Sequence, residues 1–104
     1  MKSTYEKIKY CIDESCHFAM YKSPWYLSGG IDQLMIKIYS SNYSYELYDI
    51  PAYKLTVKSI KLLEHVLKKS ELAQLIKYNI DMCGLPDEDK LWMASIIFGA
   101  NDEL

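Results

Sequence analysis

From the N-terminus, apolar positions recur with helical spacing. Ile8, Cys11, Ile12, Cys16, Ala19 and Met20 share one face, with Lys7, Lys9, Asp13 and Glu14 opposite. Ser3 and Glu6, three apart, form a capping-box signature that starts this helix. The helix is expected to end near Lys22, because Pro24 disfavours helical geometry at Ser23. A short turn through Leu27 and a break at Ser28-Gly29-Gly30 are expected next. Residues 31–39 fit two periods. As a helix they align Ile31, Leu34, Met35 and Ile38; as a strand, Leu34, Ile36 and Ile38. Asp32 near the start and the four helical matches favour helix. The strand alternative pairs this segment with residues 43–50 through a turn at Ser41-Asn42.

Beyond Ile50-Pro51, Tyr53, Val57, Ile60, Leu63 and Leu67 define an amphipathic helix from about Ala52. Ser70 is the expected N-cap of the next helix, with Leu72, Leu75, Ile76, Ile80 and Cys83 as its stripe and Gly84 as its C-terminal cap. Asp87, Glu88 and Asp89 suit the positive start of a last helix. Its shared face is read as Leu91, Ala94, Ser95 and Phe98, with Trp92 and Ile96 beside it, Gly99 closing it and residues 101–104 fraying. The pattern predicts one all-α domain over 1–104, a compact antiparallel arrangement of four to five helices. The alternative is α+β, with a hairpin at about 33–50.

Composition narrows the class. Half of the residues are apolar and a quarter charged, an ordinary globular balance. The net charge is -2, and all 12 basic residues are Lys. Without Arg, bidentate reading of phosphates and guanine edges is disfavoured, so nucleic acid is not the expected partner. Three cysteines without framework spacing argue against a secreted disulfide scaffold. The early charges leave no signal-peptide run, and no stretch reaches the ~18 apolar residues of a membrane span. A cytoplasmic protein that engages no membrane is expected.

Chemistry-bearing clusters are sparse. Cys16-His17 are helix neighbours in this reading and do not face each other. Cys11, Cys16, Cys83, His17 and His65 lack the close cysteine pairs of a structural zinc site. No cofactor, metal or small-molecule substrate is implied, and enzyme is the least supported class. Two features remain. Ten Tyr dominate the aromatics. Tyr39, Tyr43, Tyr45, Tyr48 and Tyr53 interleave with Glu46 and Asp49, a composition suited to anchoring a protein partner or to covering a core. Charge is also segregated: residues 51–78 carry six Lys and two Glu, and residues 79–104 one Lys and six acids.

The expected partner-binding residues are Tyr43, Tyr45, Glu46, Tyr48, Asp49, Asp87, Glu88 and Asp89. In outline the chain resembles the small acidic bacterial toxin-immunity proteins, in size, acidic C-terminal third and clustered Tyr with acids. The resemblance implies a basic, nuclease-type toxin domain as partner, with the acids filling a cleft meant for nucleic acid. A second reading is a nucleic-acid-associated module using Lys54, Lys58, Lys61, Lys68, Lys69 and Lys77. A third is a small regulatory or adaptor subunit.

Overall fold

The computed structural model describes residues 2–25, 31–80 and 82–102. The elements run α1 (Thr4–Asp13), β1 (His17–Trp25), β2 (Ile31–Tyr39), β3 (Glu46–Pro51), α2 (Val57–Leu63), α3 (Lys69–Asn79) and α4 (Asp87–Asp102). The fold is therefore α+β, and the all-α bundle is corrected. The hairpin alternative holds, extended by a third strand. The sheet is an antiparallel meander in the order β1-β2-β3.

The first correction is local. Helix α1 starts as expected, with the Glu6 amide donating to Ser3 Oγ at 3.2 Å. It stops at Asp13, however, not near Lys22. Ser15 adopts a left-handed φ of 57°. The Cys16 amide then donates back to Cys11 O at 2.9 Å, and the Ser15 amide to Ile12 O at 3.1 Å. These two bonds form a Schellman cap, in a position that glycine usually fills. A glycine-based stop signal was thus absent from the sequence. Ser15→Gly should stabilise the fold by about 1 kcal/mol by relieving the left-handed strain. Urea unfolding of the two proteins checks this; a destabilised variant would mean that the serine contributes more than its backbone angle costs.

Strand β1 replaces the second half of the expected helix. Cys16, Ala19 and Met20 satisfy helical spacing, but the chain alternates instead. Phe18 and Met20 pair with Ile38 and Ile36, and Ala19 and Tyr21 with Lys37 and Met35. Pro24 lies within β1, an outer strand, where a missing amide is tolerated. The expected break at Ser28-Gly29-Gly30 lies outside the described residues. In β2, Leu34, Ile36 and Ile38 are buried and Met35 and Lys37 are not.

The helices cover the Ile36 face. Ile8 and Cys11 of α1, Ile60 and Leu63 of α2, Leu72, Leu75 and Ile76 of α3, and Met93 and Ile96 of α4 join the sheet residues in one core. Burying this many branched side chains against one sheet face is the main stabilising term.

The remaining helix boundaries also shift. Helix α2 starts after Thr56, whose Oγ1 accepts from the Ser59 amide at 3.2 Å, so residues 52–54 form a separate 3-10 turn. Lys68, not Ser70, precedes α3, and its amide donates to Glu71 Oε1 at 3.0 Å. Helix α3 ends at Asn79, before Gly84. Helix α4 runs through Gly99 to Asp102, and its face is rotated from expectation. Met93, Ile96 and Ala100 are buried, whereas Leu91 and Phe98 are about 70% exposed. Apolar residues occur all round this helix, so periodicity alone did not select the buried side.

Candidate functional site

The sheet has two unlike faces. On one, Leu34, Ile36, Ile38 and Ile50 are buried under the helices. On the other, β1 contributes His17, Ala19 and Tyr21, β2 contributes Met35, Lys37 and Tyr39, and β3 contributes Asp49 and Pro51. None of these eight residues is buried. An antiparallel sheet commonly leaves one face to water, but here that face is aromatic and charged rather than plainly polar.

Its side chains are held in a defined arrangement. The Tyr21 hydroxyl reaches both carboxylate oxygens of Asp49, each at 2.7 Å. Lys37 lies between them in the sheet. Its Nζ sits 4.8 Å from the Tyr21 ring centroid and 3.2 Å from Glu46 Oε1. Partial burial, then the hydrogen bond to Asp49, push the Tyr21 phenol above its ordinary value. The hydrogen bond to Glu46 likewise raises Lys37. The ion pair is exposed to solvent, so it orients these groups more than it stabilises the fold.

At the end of this face the β2–β3 connection projects two tyrosines. The Tyr43 amide donates to Ser40 O at 2.9 Å and closes a tight turn. Asn42 Oδ1 braces it by accepting from the Ser44 amide at 3.1 Å. Tyr43 itself takes a left-handed φ of 60°, which is strained for a bulky residue. Its ring stacks on His17, with centroids 3.9 Å apart and planes at 11°, and Tyr39 lies 6.2 Å away. His17 Nε2 donates to Ser41 O at 2.9 Å, which ties the start of β1 to the turn. Tyr43 is 64% exposed and Tyr45 62%. Tyr45 turns toward α1, where it lines a cavity of about 170 Å³ with Tyr10, Glu14, Cys16, Ser40, Ser41 and Leu47.

The expected partner-binding residues thus separate into three groups. Tyr43, Tyr45, Glu46 and Asp49 are exposed on the turn and β3. Tyr48 pairs with Ile38 and packs against the core, with Lys7 Nζ 5.2 Å from its ring centroid. A register irregularity between Ile38 and Tyr39 separates it from its neighbours' pattern. Asp87, Glu88 and Asp89 occupy the first turn of α4, in the helical layer. There Asp89 Oδ1 accepts from Lys61 Nζ at 2.6 Å, and Trp92 Nε1 donates to Glu64 at 2.8 Å, so α4 is fastened to α2. Sequence reasoning missed His17, Tyr21, Lys37 and Tyr10. The signal that could have found the first two was the alternation of Phe18 and Met20 with Ala19 and Tyr21.

Three lysines of the second reading, Lys58, Lys61 and Lys77, make separate contacts. Lys61 is taken by Asp89, and Lys58 Nζ sits 4.4 Å from the Tyr5 ring centroid. Lys77 instead joins Lys22, Leu34, Gln74 and Tyr78 around a cleft of about 440 Å³. Among the described residues, no group of three or more His, Cys, Asp or Glu is placed to hold a metal ion. Nor is any described helix long and apolar enough to cross a membrane.

Burial, together with Cys16 beside it, pushes the Cys11 thiol from 9.0 up to about 11. The unfolded chain releases this proton above pH 9, whereas the fold holds it until about pH 11. Stability is therefore complete below pH 9 and falls as pH rises through 11, with a slope of up to about 1 kcal/mol per pH unit. The raised Tyr21 and Lys37 act in the same direction. Urea titrations across this window should show the fall, and Cys11→Ala should make it shallower. An unchanged slope in that variant would remove Cys11 as its source.

Comparison of the chain with protein-family models, with curated proteins and with solved structures finds no match.

Proposed function

We propose that the chain is a cytoplasmic protein-binding inhibitor of the immunity type, whose partner is a basic, nuclease-type toxin domain. Its work is binding rather than catalysis, and it needs no cofactor. One observation carries the reading. The open sheet face and the turn beside it display Tyr21, Tyr39 and Tyr43 in a braced arrangement, with Tyr45 on the same turn facing α1, and none of the four is buried. Large rings with a polar tip, held by their neighbours, lose little entropy on binding and make effective anchors.

The charge around this surface supports a basic partner. Glu14, which lines the cavity with Tyr45, and Asp49, which holds the Tyr21 hydroxyl, are exposed beside these rings. Lys37, on the central strand, and Glu46 are paired, so their charges offset each other. Acids around aromatic anchors steer a positively charged partner and speed association, an effect that weakens with salt. The acids of α4 serve first as helix-start and interhelix groups, so they are left out of the proposed surface.

The test is affinity purification from the native host, with and without nuclease treatment. A stoichiometric basic protein that survives nuclease supports the proposal and supplies the target. Recovery of nucleic acid alone, lost on nuclease treatment, contradicts it.

A further inference from the structure

Cys11 and Cys16 occupy defined positions of the Schellman cap that ends α1. Cys11 is the residue whose carbonyl accepts the long return bond, and Cys16 is the residue that donates it, at 2.9 Å. In this motif the side chains of those two positions meet, an arrangement that usually joins two apolar residues. Here it joins two thiols, and Cys16 is among the groups that raise the Cys11 pKa. Cys11 is fully buried, whereas Cys16 is half-buried and lines the cavity of about 170 Å³ beside Tyr10 and Tyr45. One sulfur is therefore open to a small reagent, and the other waits behind it.

We propose that Cys11 and Cys16 form a dithiol modification site that reacts with small-molecule disulfides of the glutathione class and closes to an intramolecular disulfide. The Cys16 thiolate attacks one sulfur of the reagent, whose S–S bond breaks and releases one thiolate. Cys11 loses its proton to solvent, attacks the Cys16 sulfur and expels the second thiolate. The protein loses two electrons and two protons, and the reagent is reduced to two thiols. Burial of the Cys11 thiol disfavours its thiolate and makes the second step the slow one, so closure should speed up as the pH rises. The site does not depend on the partner assignment, because it rests on the cap alone.

The experiment uses Cys83→Ser protein, so that only the two thiols of interest remain, with oxidised glutathione as the probe and intact-mass analysis as the readout. The expected product has lost two hydrogens, carries no glutathione and offers no thiol to alkylation. Cys16→Ser in the same background should give neither the disulfide nor a glutathione adduct. Cys11→Ser should stop at a stable adduct on Cys16. Two results would overturn the proposal: a glutathione adduct on the Cys83→Ser protein that does not close as the pH is raised, or both thiols remaining alkylatable after oxidation.

Discussion

Ile36→Ala should lower the unfolding free energy by about 2–4 kcal/mol, whereas Met35→Ala, its neighbour, should cost less than about 1 kcal/mol. Ile36 is fully buried, sits on the central strand and pairs with Met20 and Ile50 on the same core-facing side. Removing its branched side chain loses burial and leaves a cavity that a central strand cannot collapse to fill. Met35 lies on the other face and pairs with Tyr21 and Pro51, where water replaces the lost contacts. A helix over 31–39 would reverse the order, because it places Met35 on its apolar face and Ile36 off it. Urea unfolding of the two variants therefore decides the period of this segment directly.

Tyr43→Ala combined with Tyr45→Ala should weaken partner binding by about 100-fold or more, since buried aromatic anchors each contribute on the order of 2 kcal/mol. Both rings are mostly exposed, so the fold should remain. The loss of the Tyr43 stack on His17 should cost about 1 kcal/mol or less. Tyr48→Ala is a poor substitute for either change. Its ring packs on the core opposite Ile38, so weakened binding there would report a damaged fold. Calorimetry on the purified complex gives the affinities, and thermal unfolding gives the control. Unchanged affinity in the double variant would remove the turn from the binding surface.

Individual residues show why the sequence was partly legible. The start of α1 could be read because Ser3 and Glu6 carry a local hydrogen-bond signal. Its end could not, because Ser15 holds a left-handed angle that sequence reasoning assigns to glycine. Once that stop was missed, Cys16, Ala19 and Met20 continued the helical period and concealed β1. Strand β2 was a true ambiguity, since Leu34 and Ile38 satisfy both periods and only Ile36, against Ile31 and Met35, separates them. Tertiary pairing resolved it, through nine consecutive partners with β1 and a second set with β3. Of the site, Tyr43, Tyr45, Glu46 and Asp49 were visible as a local cluster. The contributions of His17, Tyr21 and Lys37 were not, because they come from strands whose pairing no local pattern announces.

In the proposed function, the partner sits on the open sheet face and the β2–β3 turn. Amide hydrogen exchange on the complex, compared with the free protein, tests it most directly. The predicted result is slowed exchange at residues 40–45 and along β1, with no change at the start of α4 or around Leu91 and Phe98. Slowed exchange confined to α4, with residues 40–45 unaffected, would contradict the claim and move the interface to the helical layer.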